Sequence, residues 1–197
     1  MIPIQNIYYM LSYAFQVLNE QGYKNIATEQ FNNTGELMAA ILEKGIANQL
    51  KRGLCKEYIP QTEALSSLRG KIDIAESIKT QSTLRKQLIC TYDEFSVNSI
   101  MNRIIKSTVE ILLRSNISKQ RKKNLRKLML YFSEVDFIDL YTVNWNVQYN
   151  RNNQTYRMLI SICYLVVKGL LQTQSNGHTK LMDFLDEQRM CRLYEKF

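Results

Sequence analysis

The chain has 197 residues, of which 45% are hydrophobic and 22% charged, and it contains only 2 prolines. This composition supports one folded domain or two small ones and excludes a disordered or low-complexity chain. No apolar run reaches the roughly 18 residues of a membrane-spanning helix, and the first residues lack the basic start of a signal peptide. We therefore expect a soluble, cytoplasmic protein that does not enter a membrane.

The positive charge is concentrated in the middle of the chain. Residues 51–127 contain 17 basic and 7 acidic residues, whereas residues 1–50 contain 2 basic and 4 acidic ones and residues 128–197 contain 7 of each. The net charge of +8 therefore arises within one segment. Such a segment indicates a polyanion or an acidic protein surface as its partner, and a merely solvated basic face is the alternative.

Residues 1–53 are predicted to be helical. Apolar residues recur at helical spacing over residues 4–18, which predicts the first helix. The second is expected from Thr34 to Arg52, because Asn33 and Glu36 have the spacing of a capping box at its start.

Residues 54–95 form a predicted β-rich insertion. Leu54–Ala64 alternates loosely around a proline, which is typical of an edge strand or of two short strands, and Leu68–Ile74 alternates more cleanly. Leu88–Phe95 is the third predicted strand, and residues 75–80 are expected to form a short helix.

Residues 96–197 return to a helical pattern. Their apolar faces predict a helix that Ser96 or Asn98 begins, a Ser118-capped helix over 119–132 and a helix over 155–171, while 134–150 is expected to be extended. The predicted fold class is therefore α+β, a mostly helical domain with a small, finger-like β-rich insertion.

The last residues predict a helix that starts between Asp183 and Asp186 and has no closing signal. Its apolar residues fall at helical spacing, and no Gly, Asn or Pro follows them. They are Met190, Leu193, Tyr194 and Phe197. We therefore expect a further portion of protein downstream, against which this apolar face packs.

The sequence contains no convincing active site. His178 is the single histidine, and no glycine-rich nucleotide-binding motif or nucleophile elbow is present. The nearest match to the acidic-x-Lys motif of Mg²⁺-dependent nucleases is Glu195-Lys196, which has the wrong spacing. The four cysteines lack zinc-ligand spacing and are expected to be buried, reduced thiols. We expect no catalytic residue, metal ligand or cofactor in this chain.

Two groups of basic residues are candidate binding sites. The first opens the predicted 119–132 helix and is a weak nucleic-acid-binding candidate, with a solvated helix face as the alternative; it comprises Lys119, Arg121, Lys122, Lys123, Arg126 and Lys127. The second lies on the Leu68–Ile74 strand, where Gly70 separates Arg69 from Lys71 and allows close backbone approach or a bulge.

Several segments together resemble a known family. They are IPIQNIYYMLSYAF at residues 2–15, LRGKIDIAESI at 68–78, TYDEFSVNSIMNRIIKSTVEIL at 91–112, ISICYLVV at 160–167, and GHTKLMDF followed by LYEKF within 177–197. Their order and spacing resemble the McrC component of the 5-methylcytosine-specific, McrBC-type restriction systems.

The resemblance implies a division of labour. The N-terminal region of that family binds McrB, a ring-forming AAA+ GTPase, inserts a finger-like element into the ring's central pore and stimulates GTP hydrolysis. The C-terminal region is a Mg²⁺-dependent nuclease, and the GTPase, which holds GTP and Mg²⁺, reads the modified DNA. This chain resembles the N-terminal region alone. Residues 54–95 are then the candidate finger, with Arg69, Gly70, Lys71 and Asp73 as partner-binding residues, and DNA is met through the complex.

Two other interpretations stay open. In one, the chain is a fragment of an intact, Mg²⁺-dependent DNA endonuclease subunit. In the other, it is a stand-alone nucleic-acid-binding protein that uses the basic residues of 119–127 and binds DNA in a salt-dependent manner without a partner.

Overall fold

A computed structural model describes residues 4–15, 18, 23–151 and 153–170. The chain divides into two compact units: a helical unit that includes the described residues up to Leu54 and from Ile100 onward, and a β unit, Cys55–Ser99. The predicted C-terminal helix and His178 lie outside the described residues.

The described residues form helices on both sides, in the sequence, of one group of three strands. In chain order they are α1 (Ile4–Ala14), α2 (Lys24–Thr28), α3 (Thr34–Arg52), β1 (Glu57–Leu65), β2 (Lys71–Asp73), α4 (Ile74–Lys79), a 3-10 turn (Ser82–Arg85), β3 (Leu88–Ser96), α5 (Ile100–Arg114), α6 (Lys119–Met129), a 3-10 turn (Leu130–Phe132) and α7 (Tyr156–Leu170). The predicted α+β class, mostly helical with a small sheet, is confirmed.

Helix α3 lies at the centre of the helical unit and packs against α6 and α7. Its start and end follow the sequence signals, because the Asn33 side chain accepts a hydrogen bond from the Glu36 N–H and Gly53 caps its C-terminus. Gly45 permits a close crossing with α7, since a Cβ at this position would lie 2.3 Å from the Leu159 side chain. Any larger residue at position 45 would therefore require the Leu159 side chain to move.

Helices α5 and α7 bury wide apolar faces against each other. One polar contact is fully enclosed in this core: the Tyr156 hydroxyl donates to the Asn102 side-chain oxygen at 2.9 Å. Both residues are fully buried, so the pair satisfies polar groups that would otherwise destabilise the core.

The β unit is a three-stranded antiparallel sheet with strand order β1-β3-β2. β1 pairs with β3 over nine residues, from Glu57 opposite Ser96 to Leu65 opposite Leu88. β2 pairs with the other side of β3, from Lys71 opposite Thr91 to Asp73 opposite Ile89. β1 is thus an edge strand, as its proline predicted.

One expectation about local structure is wrong in its extent. The strand predicted over Leu68–Ile74 is only three residues long, because Asp73 caps α4 and Ile74 already belongs to that helix. Residues 134–150 form no strand. Side chains of α5 hold the first part of this segment, because the Ser107 hydroxyl accepts from the Ile138 N–H and Lys106 donates to the Val135 carbonyl.

Candidate functional site

Gly70 makes the tightest backbone contact of the β unit. Its φ is +68°, a left-handed conformation that favours glycine, and a Cβ there would lie 2.3 Å from the Thr91 carbonyl oxygen and 2.7 Å from Tyr92 Cβ. Only glycine therefore lets the chain cross β3 closely enough to start β2. The close approach expected from the sequence is present, and it serves the turn that leads into the short strand.

Arg69 stacks on β3. Its guanidinium carbon lies 3.9 Å from the centroid of the Tyr92 ring, a cation–π contact. The Tyr92 hydroxyl donates to the Glu63 carboxylate on β1, and this hydrogen bond raises the pKa of the tyrosine. The three side chains form a row across the sheet in which the neutral Tyr92 lies between a cation and an anion.

Asp73 and Lys71 flank the single inward residue of β2. The Asp73 carboxylate accepts from the Glu76 N–H at 2.9 Å and so caps α4. Its main role in the described structure is therefore at a helix start. Lys71 is exposed. Within the β unit, the structure describes side-chain contacts for Arg69 and Asp73 but none for Lys71.

The basic residues of α6 separate into two groups. Arg121 is 16% exposed and faces α2 and α3, where its guanidinium lies 3.0 Å from Glu29 Oε2, 3.0 Å from Glu43 Oε2 and 3.5 Å from Glu36 Oε1. Burial lowers the pKa of Arg121, but the hydrogen bonds and charges of Glu43 and Glu29 outweigh it and raise the pKa overall. Arg121 is thus a structural cation.

The remaining basic residues of the cluster differ in exposure. Lys122 is half-buried, and the exposed ones are Lys119, Lys123, Arg126 and Lys127. Ser118 caps the helix as predicted, because its hydroxyl accepts from the Arg121 N–H. The Ser118 hydroxyl and N–H in turn donate to Glu36, which places a carboxylate at the positive end of this lysine-rich helix.

Metal ligands do not come together in the part of the chain that the structure describes. No group of three His, Cys, Asp or Glu side chains there is arranged to hold a metal ion. The three glutamates that do converge face the Arg121 guanidinium instead. The described residues therefore do not fit a Mg²⁺ site.

The described cysteines are free thiols. Cys90 and Cys163 are buried, which confirms that expectation for both, whereas Cys55 is half-buried and Cys191 lies outside the described residues. Burial raises the pKa of Cys163 to about 12, so its thiol stays neutral. No helix within the described ranges has the length and apolarity to cross a bilayer.

The sequence interpretation missed two features. One is the contact between Glu36 and Ser118, which joins residues 82 positions apart and has no local signal. The other is the helix start at Asp73, although Asp73 and Glu76 have the spacing of a capping box and could have revealed it.

Known proteins are similar to this chain in sequence and in fold. Residues 5–197 match the family described as McrBC 5-methylcytosine restriction system component. The Type IV methyl-directed restriction enzyme EcoKMcrBC of Escherichia coli (strain K12) is 30% identical over 199 residues, which cover 100% of this chain and 57% of the relative. The chain thus spans little more than half the length of that relative.

Two solved structures have a similar fold. A chain of the cryo-EM structure of the Thermococcus gammatolerans McrBC complex superposes with a TM-score of 0.63 at 23% identity, over 83% of this chain and 51% of that one. A chain of the refined half-complex from the tetradecameric assembly of Thermococcus gammatolerans McrB AAA+ hexamers with bound McrC gives 0.59 at 22% identity, over 80% and 40%. The match over residues 5–197 and the identity to the Escherichia coli relative confirm the resemblance found in the sequence: this chain belongs to the family of McrBC 5-methylcytosine restriction system components.

Proposed function

We propose that this chain is the partner-binding region of an McrC-like subunit in a modification-dependent restriction system that acts against foreign DNA. Its partner is a McrB-like AAA+ GTPase ring, whose GTP hydrolysis it stimulates. The proposal is supported by the family match and by the similar fold of a chain in an assembly described as McrB AAA+ hexamers with bound McrC.

The observation that carries the proposal is the compact β unit between α3 and α5. Its chain enters at Cys55 and leaves at Ser99, next to the Glu57–Ser96 pair at one end of the sheet. A nine-residue strand spans roughly 27–30 Å, and three strands are separated by only about 10 Å in total. This long, narrow sheet is our candidate for the element that enters the ring's central pore.

In this proposal the cofactors bind to other parts of the complex. GTP and Mg²⁺ belong to the GTPase ring, and a second Mg²⁺ belongs to the nuclease part of the family subunit. The three glutamates that converge on Arg121 have its guanidinium as their shared cationic partner. DNA is then reached through the complex, and DNA cleavage is not the task of the region described here.

The test is to mix the chain with its cognate GTPase. We expect a defined complex by mass photometry and faster GTP turnover than the ring shows alone. The control replaces residues 56–98 with a short Gly-Ser linker, which should leave the helical unit folded, as checked by circular dichroism, and abolish the stimulation. Unchanged turnover with the finger-less variant would refute the proposal.

A nuclease assay separates this proposal from the endonuclease interpretation. With Mg²⁺ and 5-methylcytosine-containing DNA, the chain and its GTPase together should hydrolyse GTP without cutting the DNA. DNA cleavage by this pair would instead show that an active site lies within the chain itself.

A further inference from the structure

The outward face of α6 presents a row of positive charge. At about 100° per residue, the four exposed cations of this helix fall within an arc of roughly 100° on one side, and they extend over roughly 12 Å of the helix axis. They are Lys119, Lys123, Arg126 and Lys127, and the other exposed residue between them is Gln120. These four cations are here called the basic row.

The basic row is separated from the ion pairs of the helical unit. Helix α6 contains no acidic residue, and the carboxylates of Glu36 and Glu43 on α3 contact Arg121 on the inward side of α6. Within the part of the chain that the structure describes, no member of the row forms a salt bridge. The fold therefore uses one cation of this helix internally and leaves the row available to a partner.

The arrangement of the row opposes helix stability. Lys119 and Lys123, and Lys123 and Lys127, are one turn apart, so their like charges repel each other. The row also begins at the positive end of the helix macrodipole. By contrast, α3 of the same unit has an acidic residue in its first turn and basic residues in its last turn. A polyanion bound along the row would offset the repulsion that α6 retains.

The composition of the face favours a phosphate backbone over an acidic protein surface as this polyanion. Protein interfaces are depleted in lysine and enriched in aromatic residues, whereas three members of the row are lysines and no aromatic residue lies between Lys119 and Lys127. The exposed Leu130 and Tyr131 follow in the 3-10 turn, beyond the row. Lys, Arg and Gln side chains are usual donors to the phosphates and sugars of nucleic acids.

The same composition favours a duplex over a single strand. Proteins bind single strands by stacking bases on aromatic side chains, which the row lacks. A duplex instead presents its phosphates outward, with one charge per about 3.4 Å along each strand. A straight row of cations on one helix face can contact such a backbone without reaching the bases.

We infer that the basic row of α6 binds the phosphate backbone of duplex DNA without reading its sequence. The chain then adds a contact of its own to the DNA that the complex holds, independent of the β unit. The inference rests on the proposed function only for the source of the DNA, because the charge and composition of the row select the ligand class.

The experiment measures binding of a fluorescent, unmethylated DNA duplex by the chain as a function of salt concentration. Lys123→Gln with Arg126→Gln should weaken binding by at least about tenfold at about 50 mM salt, and the slope of log affinity against log salt should become shallower by about 1.8. Lys51→Gln with Arg52→Gln removes the same charge from the exposed end of α3 and should change neither quantity. Wild-type affinity and slope for the α6 variant would overturn the inference.

GTP turnover with the cognate GTPase, measured without DNA, tests the competing protein partner. The Lys123 and Arg126 double variant should form the complex and stimulate turnover as wild type does. Loss of complex formation by this variant would show that the row contacts an acidic protein surface, which would overturn the DNA assignment. Tighter binding of a single strand of the same length than of the duplex would overturn it as well.

The two measurements separate failure of this inference from failure of the proposed function. If the wild-type chain neither binds nor stimulates the GTPase, the proposed function fails, while DNA binding by the chain alone still decides the role of the row. If stimulation is normal but both double variants bind the duplex as wild type does, only the inference about α6 fails. Circular dichroism should show the α6 variant folded and at least as stable as wild type, since it relieves like-charge repulsion.

Discussion

Glu36 and Ser118 join the N-termini of α3 and α6, although 82 residues separate them. The Glu36 carboxylate accepts from the Ser118 N–H at 2.8 Å and from the Ser118 hydroxyl at 2.7 Å. It also lies 3.5 Å from the Arg121 guanidinium. One nearly buried carboxylate thus caps a helix whose first turn contains no acidic residue, and it helps to hold the partly buried Arg121 in place.

Replacement of Glu36 by alanine should lower the free energy of unfolding by about 2–4 kcal/mol, because the two Ser118 donors and part of the Arg121 charge lose a nearly buried acceptor. The measurement is urea denaturation followed by circular dichroism. Glu110→Ala is the control, since Glu110 pairs with Arg114 at an exposed site and should cost less than about 0.5 kcal/mol. Equal costs for the two variants would contradict the role assigned to Glu36.

Arg121→Met should destabilise the helical unit by about 3 kcal/mol, because the guanidinium is the shared partner of Glu29, Glu36 and Glu43. Arg121→Lys should recover only part of the loss, since an ammonium cannot form the same fork of hydrogen bonds. Thermal denaturation of both variants checks this order. Lys123→Met, at an exposed position on the same helix, should change stability by less than about 0.5 kcal/mol.

Much of the helical unit follows from local sequence signals. Three local features each depend on residues three positions apart, so the local sequence is enough to predict them. They are the Asn33 cap, the Ser118 cap and the turn between Asn150 and Asn153. The hydrogen bonds between Glu36 and Ser118 could not be predicted from local sequence, because they depend on how α3 and α6 pack together. The capping-box spacing therefore identified the helix start without revealing the second partner of its glutamate.

In the β unit, the alternation of apolar and polar residues did not predict the correct length of β2. The sequence Leu68–Ile74 alternates apolar and polar residues. However, Gly70 lies in a turn and Asp73 caps α4, so the strand is only three residues long. Leu68 and Ile74 are each 64% exposed, so neither joins a buried face. The contact of Arg69 with Tyr92 depends on the fold, whereas the contact of Asp73 with Glu76 has the local spacing of a capping box.

Gly70→Ala should destabilise the β unit by about 2–3 kcal/mol, since the new Cβ meets the Thr91 carbonyl at 2.3 Å and the φ of +68° disfavours any side chain. Hydrogen exchange at the amides of β2 and β3 measures the effect locally. Gly53→Ala is the control for a positive φ without a close contact, because a Cβ added there would meet no atom within 4 Å, and it should leave exchange at the β2 and β3 amides unchanged. A greater loss of protection at these amides for Gly53→Ala would contradict the close-approach argument.

Arg69→Ala with Lys71→Ala should weaken stimulation of the partner GTPase while the chain stays folded. The loss of the Arg69–Tyr92 contact should cost only about 0.5–1 kcal/mol, as is usual for an exposed cation–π pair. GTP turnover at saturating partner concentration, together with the thermal transition of the variant, provides the measurement. Turnover equal to wild type would show that this strand does not contribute to stimulation.

The exposed face of α6 sets a limit on direct DNA binding by the chain. With Arg121 neutralised inside the fold, four exposed cations remain on this helix: Lys119, Lys123, Arg126 and Lys127. Four phosphate contacts give a slope of log affinity against log salt of about −3.6. We therefore expect only weak, sequence-independent binding at low salt, which is lost when all four are changed to glutamine.

Fluorescence anisotropy with methylated and unmethylated duplexes, measured from roughly 50 to 200 mM salt, tests this limit. Lys51→Gln with Arg52→Gln, at the exposed end of α3, is the control for a general loss of positive charge and should leave the slope unchanged. A flat signal at low salt would exclude the stand-alone nucleic-acid-binding interpretation. A preference for methylated DNA would contradict the assignment of modification reading to the GTPase partner, because α6 would then contact bases as well as phosphates.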